Sequence, residues 1–301
     1  METLSDIGED SLIQRLVADL PQLPSVIVGP GDDCAVVKGT TEGHHLLLKT
    51  DAVVEGVHFL RDAPPHLIGR KALARAISDI GAMGGIPLHA LVTLVLPADL
   101  DVAFVGGLYQ GMRELADEFG VSIVGGETTR GLQIVISVTL TGEVEADRQV
   151  LRSTAREGDA IMVTGRLGGS IKGHHFTFRP RLQEARWLAQ YHWPNAMMDL
   201  SDGLGKDLLR LAAASGLDFV IEPGALPCNA GCTAAQAWGD GEDYELLFMI
   251  ADETELMSDW AQSFPEVSLT KIGNMVATGQ GSVPDFASTG WDPFVKDGGS
   301  A

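Results

Sequence analysis

Cysteine is scarce: Cys34, Cys228 and Cys232 are the only three among 301 residues. That number cannot build a disulfide framework and points to a reducing compartment. Cys228 and Cys232 lack further ligand residues nearby, so no zinc site is expected there. Positive charge is also short, with 21 Lys and Arg against 41 Asp and Glu and a net charge of −20. Such a surface repels nucleic acid and anionic membranes. It can bind a phosphorylated small molecule only where metal ions and a few local basic groups reverse the sign. Long apolar runs are missing too: the longest, residues 86–97, is too short to span a bilayer and holds His89 and two prolines. The first ten residues are acidic and show no basic-then-apolar leader pattern. The expectation is a cytoplasmic protein with neither nucleic acid nor membrane as partner. A Walker lysine, a G-x-S-x-G elbow and a His-rich metal motif are likewise absent, which removes support for hydrolase readings.

What is present is an alternation of apolar runs and glycine-rich breaks, in a chain long enough for one large or two ordinary domains. Ile13, Leu16, Val17 and Leu20 recur at helical spacing before Pro21 and Pro24, predicting an amphipathic helix. Residues 34–37 and 46–50 read as strands, and Pro64-Pro65 opens a helix that Gly84-Gly85 closes. Then come a strand at 88–96, a helix at 101–119 stopped by Gly120, and strands at 121–124 and 133–144. The polar stretch 143–159 places a boundary near Asp147, giving domains 1–147 and 148–301. In the second domain 160–164, 196–199, 217–221, 244–250 and 267–272 read as strands, and 181–191, 203–214 and 254–264 as helices. The class is α/β with mixed sheets in two lobes. A short echo between 77–81 and 200–204 suggests that the lobes are related.

Chemistry is densest in Gly125-Gly126-Glu127-Thr128-Thr129-Arg130-Gly131, read as a turn between strands. Its glycines allow close backbone approach, its carboxylate can hold a hard metal, and Arg130 can fork onto phosphate. Asp32, Asp33, Asp51, Asp199 and Asp202 fall at predicted strand ends or turns, where α/β lobes bind ligands, while Asp79 lies inside a helix. Acids converging on one site repel by about 4 kcal/mol per close pair at an effective dielectric of about 20. Mg²⁺ relieves that repulsion and keeps coordination positions for water and substrate phosphate.

Other readings stand beside these. Asp202 or Ser201 can cap the following helix, and Asp79 can pair with Arg75 one turn earlier. His58 can be a packed imidazole. The loop Gly165 to Ser170 can cradle phosphate or simply turn. The basic partners are Lys49, Lys71, Arg130, Arg152 and Arg166, with Arg130 the strongest phosphate candidate. Glu242, Asp243 and Glu245 enter an apolar strand, and Trp291 and Phe294 either pin a glycine-rich tail or stack on a flat heterocycle.

Taken in order, these segments resemble the thiamine-monophosphate kinases, within the aminoimidazole ribonucleotide synthetase-like superfamily of ATP-binding proteins. They are Gly31-Asp32-Asp33-Cys34-Ala35, Thr50-Asp51 with Val54-Glu55-Gly56-Val57-His58-Phe59, Lys71-Ala72-Leu73-Ala74 through Ser78-Asp79-Ile80-Gly81-Ala82-Met83-Gly84, and the packet around Glu127. Val163-Thr164-Gly165, Asp199-Leu200-Ser201-Asp202-Gly203-Leu204 and Gly241-Glu242-Asp243-Tyr244-Glu245-Leu246 complete the set, which runs from about Gly8 to Phe294. The resemblance implies transfer of the ATP γ-phosphoryl group to thiamine monophosphate. It implies a homodimer whose N-terminal lobes join strands into a shared β-barrel, beside a C-terminal α/β lobe.

It further implies Mg²⁺ held by Asp33, Asp51, Asp79, Glu127, Asp199 and Asp202, with Lys49 and Thr50 beside them. Gly126, Glu127, Arg152 and Ser201 would touch ATP, and His58, Glu242 and Trp291 would line the thiamine phosphate pocket. Asp51, Asp202 and Arg130 would stand nearest the reaction. The chain departs from the family pattern with Glu127 where aspartate is usual, with Lys49 where a small hydroxyl residue is common, and in the lead-in Trp238-Gly239-Asp240. Rival readings are an aminoimidazole ribonucleotide synthetase-type enzyme and a noncatalytic nucleotide-binding paralogue.

Overall fold

The computed structural model describes residues 2–192, 194–286 and 290–295. In chain order its main elements are α1 (Leu4–Val17), β1 (Val26–Val28), β2 (Ala35–Lys38), β3 (His44–Val54), α2 (Pro65–Ala82), β4 (Ile86–Leu96), α3 (Val102–Phe119), β5 (Ser122–Arg130) and β6 (Val135–Glu145). There follow β7 (Ala160–Thr164), α4 (His174–Thr177), α5 (Leu182–Trp187), β8 (Ala196–Asp199), α6 (Leu204–Ser215), β9 (Asp218–Ile221), α7 (Ala234–Gly239), β10 (Leu246–Ile250), α8 (Thr254–Ser263) and β11 (Leu269–Val276). They form two compact units, each assembled from separate stretches of chain. The first holds Asp33–Val150 and Lys172–Trp193; the second holds Met1–Asp32, Leu151–Ile171 and Pro194–Ala301.

In the first unit the strands run in the order β2-β3-β6-β4-β5. Neighbours are antiparallel up to β4, and β5 is parallel to β4 because α3 carries the chain back across the sheet. The Asp101 side chain accepts the Ala103 N–H at 2.9 Å to start α3, and Gly120 ends it in a left-handed conformation, as the sequence predicts. Alternation sorts the sheet faces: Leu47, Val92, Leu94, Ile136, Val138 and Leu140 are buried, whereas Leu48, Leu91 and Thr139 are exposed. β5 ends the sheet, and among the described residues the sheet is open and does not close into a barrel. The packet at 125–131 is therefore an edge strand up to Arg130, and only Gly131 turns, its N–H donating to the Leu96 carbonyl at 3.0 Å.

The second unit carries an antiparallel sheet in the order β8-β10-β7-β11-β9. Strands β7, β8 and β10 are buried along their whole length, which is why they read as unbroken apolar runs. Their side chains join Leu204, Leu208, Leu211 and Trp238 in one core. Helix α7 escaped the sequence reading although Thr233-x-x-Gln236 is a reciprocal capping box: the Gln236 N–H donates to Thr233 Oγ1 at 3.3 Å and the Thr233 N–H to Gln236 Oε1 at 3.1 Å. Helix α1 forms, but it is interrupted at Gly8 (φ 70°, ψ 179°), and Ile13 and Leu16 on its expected apolar face are 44% and 64% exposed. The echo between 77–81 and 200–204 has no structural counterpart, since Asp79 lies in the interior of α2 and Asp202 in the loop before α6.

Candidate functional site

The first unit builds an ion-pair ladder from two regular elements. Alternation along β3 puts Lys49 and Asp51 on the same face as buried Leu47 and Val53, while Arg75 and Asp79 stand one turn apart on α2. Lys49 Nζ lies 2.9 Å from Asp79 Oδ1, and Arg75 Nε lies 3.0 Å from Asp51 Oδ2. Two residues of strand advance about 6.8 Å and four residues of helix about 6 Å, so the pairs match in pitch. Burial alone would push the Lys49 ammonium down, but the Asp79 and Asp51 carboxylates outweigh it and hold the group well above the usual lysine value. Asp51 also accepts the Ala52 N–H at 2.8 Å. Asp33 and Asp79 are both buried. Thr50 falls on the opposite, exposed face, where it meets Thr139 Oγ1 at 3.3 Å, so β3 does not bring it to Asp51.

His58 follows β3 and turns back on it. The Val54 N–H donates to its Nδ1 at 3.0 Å, so the neutral ring carries its proton on Nε2. Lys71, fully buried, donates to the His58 carbonyl at 2.8 Å and lies 2.8 Å from His175 Nδ1, with its ammonium over the Phe176 ring. On β5, Gly126 stands opposite Val92 so closely that a Cβ would strike the Val92 carbonyl. Glu127 and Arg130 are exposed on this edge strand, and Glu127 Oε1 accepts the Thr128 N–H at 2.9 Å.

In the second unit Asp199 ends β8 and is buried. The cap of α6 is Gly203, and no side chain caps it there. Instead Asp207, inside the first turn, accepts the N–H groups of Ser201 and Asp202, both at 3.0 Å. Sequence reasoning missed Asp207; burial and the neighbouring Asp202 charge push its carboxyl up to about 7, against Arg210 and Arg152. Asp202 Oδ2 accepts from Arg210 Nη1 at 2.6 Å and lies 3.6 Å from Lys206 Nζ. Residues 242–245 clamp the same loop: the Glu242 N–H donates to the Ser201 carbonyl at 2.7 Å and the Tyr244 N–H to the Leu200 carbonyl at 2.8 Å. Both Glu242 and Tyr244 have left-handed backbones, φ 55° and 52°. Such strain in side-chain-bearing residues is concentrated at functional sites.

The loop Gly165 to Ser170 is not a phosphate cradle. Its Gly168 N–H and Ser170 hydroxyl donate to Asp243, at 3.1 and 2.5 Å, and its Gly169 N–H donates to Asp240 Oδ2 at 2.8 Å. The protein's own carboxylates fill the anion position. Burial pushes the Asp243 carboxyl up to about 7, with Glu245 and Asp240 adding to the effect of burial and the Ser170 and Gly168 hydrogen bonds opposing it. Arg152 donates its N–H to Asp32 Oδ2 at 3.1 Å, with Nε 3.9 Å from Oδ1. Trp291 donates its N–H to the Asp202 carbonyl at 2.8 Å, while its own carbonyl accepts from Lys206 Nζ at 2.7 Å.

The chain is similar to known proteins along most of its length. The family model "AIR synthase related protein, N-terminal domain" matches residues 31–144, and "AIR synthase related protein, C-terminal domain" matches residues 152–285. The thiamine-monophosphate kinase of Rhodopirellula baltica is 39% identical over 290 residues, 89% of each chain. That of Aquifex aeolicus is 34% identical across 97% of this chain and 99% of its own. The solved structure of AaThiL complexed with AMPPCP and TMP superposes with a TM-score of 0.83 at 31% identity, covering 97% of this chain and 99% of that one.

Proposed function

The chain belongs to the thiamine-monophosphate kinases of the AIR synthase related family, and from that premise we propose that it transfers the γ-phosphoryl group of ATP to thiamine monophosphate, giving thiamine diphosphate and ADP. The observation that carries the reading is likeness along nearly the whole chain, in sequence and in fold, to enzymes of that activity. The acceptor phosphate is already largely ionised at neutral pH, so no general base is required. The task is to bring two polyanions together, which is positioning and charge neutralisation.

The donor set suits a hard cation, since carboxylates on β3, α2 and the β8 end offer oxygen ligands and no soft ligand accompanies them in the proposed set. Bound Mg²⁺, held by Asp33, Asp51, Asp79, Glu127, Asp199 and Asp202 with Lys49 beside them, would neutralise phosphate charge; Thr50, on the opposite face of β3, drops out of the set. Arg75 and Lys49 fix the Asp51 and Asp79 carboxylates from the protein side. Gly126, Arg152 and Ser201 serve ATP, and Arg130 serves as a charge partner for the transferring group. His58, with a donor N–H at Nε2, joins Glu242 and Trp291 in holding the acceptor. The activity assignments of domains 1–147, for ATP, Mg²⁺ and dimerisation, and 148–301 belong to the same proposal, as does a cytoplasmic setting; no described helix is long and apolar enough to cross a membrane.

A homodimer is part of the reading. The sheet face bearing Leu48, Leu91 and Thr139 is exposed, as is most of β5, which supports pairing with a second copy to complete a shared barrel. Sedimentation should give twice the chain mass, and a monomer would remove the barrel. Incubation with ATP, Mg²⁺ and thiamine monophosphate should yield thiamine diphosphate. ATP binding without product would favour the noncatalytic paralogue, and ATP consumption only with another substrate would favour a different enzyme of the superfamily. Glu127→Asp probes the unusual ligand: raised turnover would show that the longer side chain is a poor fit, and lost turnover that the site is built around glutamate.

A further inference from the structure

The structure assigns Lys206 and Asp292 as positioning residues that dock the tail bearing Trp291 onto the loop of Asp202 and the broken start of α1. The Lys206 side chain is only 12% exposed, and its ammonium donates to the Trp291 carbonyl at 2.7 Å. It also lies 3.4 Å from Asp292 Oδ2, 3.5 Å from Glu9 Oε2 and 3.6 Å from Asp202 Oδ2. Asp292 is the second hinge pin: its Oδ2 accepts the Glu9 N–H at 3.0 Å and its Oδ1 the Phe294 N–H at 2.9 Å. The chain is shaped for this fit on both sides. Gly8 breaks α1 with φ 70°, and a Cβ there would come within 3.1 Å of Asp292 Oδ2. A Cβ on Gly290, φ 140°, would stand 2.6 Å from both the Asp202 carbonyl and Lys206 Cβ. One turn along α6, Arg210 completes the anchor by joining Asp202 at 2.6 Å to Asp10 at 2.7 Å.

Three stretches far apart in sequence thus meet on one ammonium, the tail through charge-assisted hydrogen bonds, the stronger kind, and Glu9 and Asp202 through ion pairs. Neither Lys206 nor Asp292 need touch a substrate. Their effect passes through Trp291, so the functional half of this inference rests on the reading of Trp291 as an acceptor contact. With the tail undocked, the aromatic ring is no longer held where the acceptor binds, and acceptor affinity falls while the phosphoryl-transfer step is spared.

Two measurements separate the parts. Hydrogen exchange of the Glu9 and Trp291 amides should speed up by about tenfold in Lys206→Met and be largely restored in Lys206→Arg. In the same variants KM for thiamine monophosphate should rise by about tenfold in the first and by about twofold in the second, with kcat and KM for ATP within about twofold. Asp292→Asn, which keeps an acceptor for the Glu9 N–H but loses the charge, should fall between them and serves should Lys206→Met fail to fold. Unchanged exchange in both variants would overturn the docking role. Faster exchange with no change of KM in either Lys206→Met or Trp291→Ala would keep the docking role and overturn the acceptor contact. A fall in kcat matching the fall in kcat/KM would overturn positioning through Trp291.

Discussion

The ladder between β3 and α2 and the hub around α6 each hold one lysine and one arginine, yet their charge balance differs. In the ladder, Lys49 and Arg75 face Asp79 and Asp51, two cations to two carboxylates. In the hub, Lys206 and Arg210 face Glu9, Asp10, Asp202, Asp207 and Asp292, two to five. The ladder gives each of these two carboxylates its own cation across two regular elements. The hub carries surplus negative charge and ties down irregular segments, so its cohesion depends on added positive charge. At Asp207 burial raises the proton affinity of the carboxyl, and the neighbouring Asp202 charge adds to it.

The largest effect should come from the ladder's Asp51–Arg75 rung. Asp51→Asn should lower turnover by at least about 100-fold, read as thiamine diphosphate formed per enzyme, because it removes both the Arg75 pair and a proposed metal ligand. Near-normal turnover would take Asp51 out of the machinery. Next, Lys49→Met should cost about 3 kcal/mol in urea unfolding, since it leaves Asp79 buried beside no ammonium. Added Mg²⁺ should restore part of that loss; if it restores none, the acids of the ladder do not take up a metal.

Arg210→Met should cost less, about 2 kcal/mol, since its partners Glu9 and Asp10 are partly solvated, Asp202 keeps Lys206 nearby, and buried Asp207, its carboxyl already raised to about 7, can take up a proton. Added salt should recover more of this loss than of the Lys49 loss, because screening acts on the hub's unbalanced charge and barely on the ladder's buried pair. Equal salt responses would erase the distinction between the two networks. The smallest effect is a slope. Asp243 has a carboxyl raised to about 7, so between about pH 4 and 7 the folded chain keeps a proton that the unfolded chain has released. Its stabilising contribution is complete below that window and is lost as pH rises through 7. Asp243→Asn, which lies in neither network, should flatten the fall in unfolding midpoint over that range while leaving the Mg²⁺ response of the ladder and the salt response of the hub intact.

Elements bounded by glycine or proline were legible in the sequence because their signals are local. β7 and β8 fall at the predicted positions, α3 stops at Gly120, and α2 opens at the proline pair. What failed depended on neighbours distant in the chain. The stripe of Ile13 and Leu16 gave the helix but not what covers it. Gly125 and Gly126 looked like turn residues, whereas Gly126 is needed because β4 runs alongside at close range. The carboxylates of the candidate site stood out by their places in the sequence, but their partners did not. Arg75 beside Asp51, Asp207 under Ser201, and Asp240 and Asp243 filling the Gly168 loop are all set by tertiary packing. Lys206 and Arg210 carry no sequence signal of their own, because their partners Glu9, Asp10 and Asp292 come from distant segments.

One irregularity in β5 bears on how this chain could change. Against β4, Ala90 pairs with Ile123 and Leu91 with Gly125, so Val124 is an extra residue on the edge strand. Because side chains alternate every residue, that insertion sets the phase of everything after it: Glu127 and Arg130 point where they do by a count of one. Removing Val124 would invert the strand's downstream faces in a single step, exchanging the residues offered to one side of the sheet for those offered to the other. A deletion there is therefore a far larger change than any substitution at Glu127, and an insertion two residues long a far smaller one.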